Sequence, residues 1–150
     1  MVTFGTFLAR RAFAAAYRGL QPAERDFARR LGAALRQTEI IVDLDRDLAR
    51  GCLYAPVQAL EAAGIDPQAF ARRTASEHAH AFLADWSGRV HAELVALPRL
   101  LDDPVQRGEQ RHGLVLAALH ARWLEPRFRS PSAGGSRTEL SPLTRLWTAW

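Results

Sequence analysis

Asp43, Asp45 and Asp47 follow the apolar run Ile40-Ile41-Val42 within QTEIIVDLDRDLARGCLYAP, residues 37–56. On an α-helix, residues four apart share a face and lie about 6 Å apart along the axis. Glu39, Asp43 and Asp47 then form one acidic stripe, while Asp45 points roughly 160° away from Asp47 and is expected in solvent. Carboxylates so placed repel one another unless something positive lies between them. Mg²⁺ prefers oxygen ligands and is commonly held by one or two carboxylates together with substrate phosphates and water. The D-x-x-x-D spacing offers that half-site. A plainer reading stands beside it. Arg46 and Arg50 lie three residues after Asp43 and Asp47, and such surface ion pairs contribute only a few tenths of a kcal/mol, roughly. No other combination competes. His78 and His80 are two apart and face different sides of a helix, and His112 and His120 are eight apart, too far for one metal. There is no H-E-x-x-H, no glycine-rich phosphate loop and no nucleophile elbow.

The elements that must position these residues read as helices throughout. Phe4, Leu8, Ala12, Ala15 and Ala16 lie on one stripe of a helix over residues 3–17, as in a packed helix rather than a transit peptide. Gly19 and Pro22 break it. A long helix from about Ala23 to Arg50 carries the apolar stripe Phe27, Leu31, Ala34, Leu35, Thr38 and Ile41, and Gly51 stops it. Pro56 opens a short helix ending at Gly64, and Asp66-Pro67 starts another. Ser76 can cap a helix to about Leu97, with Phe82, Trp86, Val90 and Leu94 on one face. Pro104 begins a helix reaching about Leu124. Residues 127–140 read as a loop, and Ser141-Pro142 opens a last helix, 141–150, with Leu143, Leu146 and Trp147. No alternating run suggests a strand. The chain is predicted to be all-α and a single domain, residues 1–126 forming a helical bundle.

Bulk composition narrows the function classes. The 150 residues are 48% apolar, which suits a globular protein. Net charge is +4, but all 20 basic side chains are arginines, scattered in no run longer than a pair. That looks like the codon bias of a GC-rich genome and argues against a nucleic-acid surface. Cys52 is the single cysteine, so no disulfide forms within the chain and a reducing compartment is expected. No apolar run approaches the roughly 18 residues of a membrane span.

The acidic segment resembles the second aspartate-rich motif of the squalene/phytoene synthase family, the head-to-head prenyl transferases. That motif runs roughly Q-x-T-N-I-x-R-D-x-x-E-D-x-x-x-G-R-x-Y-L-P. Thr38, Ile40, Asp43, Asp47, Gly51, Tyr54 and Pro56 match in register, and Gln37 lies one place late. ARRLGAAL upstream, ALEAAGI after the motif and the closing LSPLTRLWTAW are similar to family stretches. The resemblance covers most of residues 24–150 and is nearest to bacterial members that make presqualene diphosphate. It implies an isoprenoid (terpenoid) synthase-type helical bundle, of which this chain looks like the C-terminal half.

In that family two aspartate motifs face each other across a helical cavity, each binding Mg²⁺ and a prenyl diphosphate. The metal stabilises the departing diphosphate, and an apolar cavity shields the resulting allylic cation from water. By that resemblance Asp43 and Asp47 are the catalytic metal ligands, Glu39 stands at a third ligand position, and Tyr54 lies near the cavity mouth. Arg46, Tyr54 and Gln37 form the expected substrate-binding set. Phe27, Leu31, Leu35 and Phe82 suit either a prenyl cavity or ordinary core packing. Four positions depart from the pattern: Glu39 for Asn, Val42 for a diphosphate-contacting Arg, Arg46 for Glu, and Cys52 for Arg. Arg46 is expected to replace part of the cation lost at position 42. The implied substrates are farnesyl diphosphates; some members also use NADPH, which nothing here indicates. The first aspartate motif is missing from the sequence. The implied partners are therefore a separate N-terminal-half chain or a second copy, in the cytoplasm or peripheral at a membrane. Two rival readings remain at this stage: a non-catalytic family member acting in assembly, and an unrelated helical interaction module with a merely solvated acidic face.

Overall fold

The computed structural model describes residues 22–72 and 77–129, and every regular element among them is helical. The expected helix at 3–17, the cap at Ser76 and the last helix at 141–150 lie outside the described residues. Helix α1 is Pro22–Ala49, with Pro22 in its first turn and Glu24 nearby, where a carboxylate favours the helix dipole. Phe27, Leu31, Ala34, Thr38, Ile41 and Leu44 are buried along one stripe. Thr38 is accommodated there because its hydroxyl donates to the Ala34 carbonyl at 2.9 Å. The helix stops at Gly51, whose φ of 74° is the left-handed conformation that glycine adopts freely. The Cys52 amide donates to the Asp47 carbonyl at 2.9 Å and the Gly51 amide to that of Leu48 at 3.0 Å, a Schellman closure. The chain therefore reverses immediately after the acidic stripe.

Helix α2 is Val57–Ala62 and α3 is Pro67–Ala71. Gly64, with φ 69°, ends the first by the same closure, and Asp66 caps the second by accepting from the Gln68 and Ala69 amides at 3.0 Å. Helix α4 is Glu77–Ala96 and buries Phe82, Trp86, Val90 and Leu94, the stripe expected of it. Pro98 lies in a 3₁₀ turn, Leu97–Leu100.

The single helix expected from Pro104 to Leu124 is two. Helix α5 is Pro104–Glu109, capped by Asp103 at 2.8 Å from the Val105 amide, and α6 is Arg111–Arg129. The break falls at Gln110. Arg107 ties α5 back to the 3₁₀ turn by donating to the Leu101 carbonyl at 2.6 Å, and Gly108 removes helix propensity just before the break. The loop boundary at 127 also moves, because α6 runs on to Arg129. Pro126 lacks one amide hydrogen but does not end the helix.

Helices α1, α4 and α6 pack on one another pairwise and enclose one core. Gly113 permits the α1–α6 approach: a Cβ there would lie 2.9 Å from the Phe27 ring and 3.1 Å from Leu31. Among the described residues no helix is long and apolar enough to cross a membrane.

Candidate functional site

The acidic stripe occupies the last three turns of α1, and the Gly51 reversal folds residues 52–54 back beside it. Asp43 and Asp47 are one turn apart and largely shielded, with side chains 23% and 18% exposed. Arg46, 49% exposed, lies between them. Its Nη2 is 2.5 Å from Asp43 Oδ2 and its Nε is 3.9 Å from Asp47 Oδ1. The expected surface pairing is therefore realised for Asp43, but one guanidinium serves both aspartates. Glu39 has its own cation, Arg36, at 3.3 Å. Asp45 is half-buried rather than solvated.

Tyr54 is half-exposed and stacks with Arg36, whose guanidinium carbon is 5.7 Å from the ring centre, within cation–π range. The neighbouring Cys52 raises the Tyr54 phenol above its ordinary value: hydrogen bonding to the sulfur and repulsion from a thiolate both disfavour phenolate, and the Asp47 charge adds to them. Arg36 beside Glu39 and Arg46 beside Asp43 and Asp47 thus set cations among the carboxylates along this stretch of α1, with Tyr54 stacked on Arg36.

Gln37 lies apart from that stretch. Its Oε1 accepts from the Trp86 indole at 3.0 Å, so it faces α4. There it lines a cleft of about 290 Å³ whose walls include Ala34, Pro56, Ala59, Phe82, Trp86 and Val90, with Arg89 and Glu93. Of the four apolar residues that suited either a cavity or the core, Phe82 lines this cleft, whereas Phe27 and Leu31 are fully buried and Leu35 packs against the core. Glu93 is held by a two-pronged ion pair with Arg30, at 2.6 and 2.9 Å. Arg30 donates both bonds, which holds the Glu93 carboxyl below the usual glutamate range.

Sequence reasoning missed Trp86 as a partner of Gln37, and it missed the Arg30–Glu93 pair and the role of Arg36. The 49- and 63-residue separations of the first two leave no local signal. Arg36 was detectable, because it stands one turn before Glu39.

The histidines do not gather. His78, His80 and His112 are exposed. His91 is 4.0 Å from Glu125, and His120 is buried with its ring edge against Trp123 and Nδ1 2.8 Å from the Leu116 carbonyl. Among the described residues no three His, Cys, Asp or Glu side chains converge on a point that could hold a metal. Asp43 and Asp47 have the donor type for one side of a Mg²⁺ site that phosphate oxygens and water complete. They do not form an all-protein cage.

The family model described as squalene/phytoene synthase matches residues 5–138, most of the chain. No curated protein and no solved structure matches it significantly.

Proposed function

The chain belongs to the squalene/phytoene synthase family, whose fold is the all-α isoprenoid synthase type, and from that premise we propose that α1 supplies one prenyl-diphosphate site of a head-to-head prenyl transferase. The reaction is the Mg²⁺-dependent condensation of two farnesyl diphosphates to presqualene diphosphate with release of inorganic diphosphate; a hydride from NADPH, with loss of the second diphosphate, would carry that product on to squalene, in hopanoid or carotenoid biosynthesis. The observation that carries this reading is the shielded pair Asp43 and Asp47, one turn apart with Arg46 shared between them. Asp43 and Asp47, with Glu39 beside them, would hold Mg²⁺, which supplies neutralising charge to the departing diphosphate.

The chain's own residues do the rest. Arg46 donates to diphosphate oxygens and stands in for the arginine that position 42 lacks. Tyr54 and Arg36 form an aromatic and cationic rim at the mouth of the site. Gln37, fixed by Trp86, stands about 9 Å up the helix axis from Asp43. The apolar walls of its cleft suit an isoprenoid tail and keep water from a carbocation. The sequence has one D-x-x-x-D, and two diphosphates require a second acidic motif. That motif comes from polypeptide outside this sequence or from a second copy. A cytoplasmic location with peripheral membrane contact fits the lipid substrate.

Mg²⁺ with a non-reactive farnesyl diphosphate analogue is expected to raise the melting temperature, because a ligand that binds only the folded state stabilises it. Asp43→Ala combined with Asp47→Ala is expected to abolish the rise. No ligand-dependent rise in the parent protein overturns the reading.

A further inference from the structure

Each carboxylate on the expected ligand stripe already has a guanidinium: Arg36 for Glu39, and Arg46 for both Asp43 and Asp47. Arg46 is also the more exposed partner, 49% against 23% and 18%, so it is the member of the group that a ligand arriving from solvent reaches most readily. We infer that Arg46 is a built-in counter-ion that keeps a free divalent cation off Asp43 and Asp47, and that a diphosphate anion releases it. The inference rests on the diphosphate reading above and goes beyond it by making metal and anion binding mutually dependent.

The charge balance carries the argument. Glu39, Asp43 and Asp47 bring three negative charges, against two positive from Arg36 and Arg46. A divalent cation arriving alone gains little from a net charge of −1, and it must displace a guanidinium ion-paired with Asp43 at 2.5 Å. An anion arriving alone meets Arg46 already committed to carboxylates. Arriving together, the anion takes the guanidinium fork, a geometry arginine matches well, and the freed carboxylates meet the cation. Each ligand then tightens the other by the same factor, as linkage requires. Arg46 acts here as a positioning residue for the binding event and not as a participant in bond breaking.

Mn²⁺, a paramagnetic stand-in for Mg²⁺, tests this by electron paramagnetic resonance titration on the full chain, with and without inorganic diphosphate. In the parent protein Mn²⁺ alone is expected to bind weakly, and diphosphate to tighten it at least about tenfold. Arg46→Gln is expected to bind Mn²⁺ alone about tenfold more tightly than the parent and to lose most of the diphosphate effect. Arg46→Lys, which keeps the charge, is expected to stay close to the parent. Circular dichroism melts check that both variants fold. The inference is overturned if the parent binds Mn²⁺ alone as tightly as Arg46→Gln does, or if Arg46→Lys gains as much as Arg46→Gln. In either case the diphosphate reading stands if Asp43→Asn abolishes the binding. No Mn²⁺ binding in any combination overturns both.

Discussion

Arg30 and Glu93 are 63 positions apart in the chain, yet they form the one two-pronged contact between α1 and α4 among the described residues. Arg30 bonding depresses the Glu93 carboxyl below its ordinary value of about 4.5, against the opposing effects of partial burial and, after it, the nearby Asp26 charge. A carboxyl whose folded-state value is depressed contributes stability that is complete above its unfolded-state value. That contribution is lost as pH falls through the folded-state value. A double-mutant cycle with Arg30→Gln and Glu93→Gln should therefore show favourable coupling in denaturant unfolding at neutral pH. The coupling should shrink below about pH 4.5 and with added salt, because both side chains are about one-third exposed. A coupling that does not change with pH would remove the electrostatic account. At this scale the sequence was legible only where partners are local. Asp43 and Arg46 share a turn, so their pairing could be read from spacing. The Trp86–Gln37 and Arg30–Glu93 contacts depend on how two helices cross, and no one-dimensional pattern records that.

Helix boundaries were far more legible, because they are set by residues with local conformational demands. Gly51 and Gly64 both take positive φ at the stops expected of them, and Asp66-Pro67 opens α3 as a capped turn. The break at Gln110 was only partly legible: Gly108 marks it locally, but the bond from Arg107 back to the Leu101 carbonyl that accompanies it has no signature in the sequence. Two glycines inside helices separate intrinsic propensity from packing. A Cβ at Gly88, in the interior of α4, meets nothing within 4 Å. Gly88→Ala should stabilise by about 1 kcal/mol through propensity alone. Gly113 faces the opposite situation, with Phe27 at 2.9 Å and Leu31 at 3.1 Å from the added carbon, both fully buried on α1. Gly113→Ala should cost about 1–3 kcal/mol from overpacking, despite alanine's better helix propensity. Urea unfolding of the two variants should move midpoints in opposite directions. If both were stabilised, the close α1–α6 crossing would not be real.

At the scale of the whole molecule, the question is whether the three long helices and three short ones among the described residues behave as one body. The apolar periodicity of α1 and α4 was readable in sequence, and so was the all-helical class. What could not be read was that α1, α4 and α6 each touch the other two, because periodicity marks a buried face without naming what covers it. The core runs without interruption from Phe27 on α1 through Leu94 on α4 to Leu124 on α6. It also includes Leu60, Ile65 and Phe70 from the α2–α3 region. Phe70 meets Phe82 edge to face at 6.4 Å, which couples the short helices to α4 and to the wall of the Gln37 cleft. Such continuity predicts a single cooperative unfolding transition. Leu94→Ala tests it from the centre, since that side chain is 1% exposed. The truncation should cost about 2–5 kcal/mol, a large share of the roughly 5–15 kcal/mol that holds a domain of this size. Far-ultraviolet circular dichroism and tryptophan fluorescence should then shift to one common lower midpoint. Two separated midpoints would mean that α2 and α3 are only loosely tied to the bundle. The cleft would then lose a fixed wall, Pro56 and Ala59.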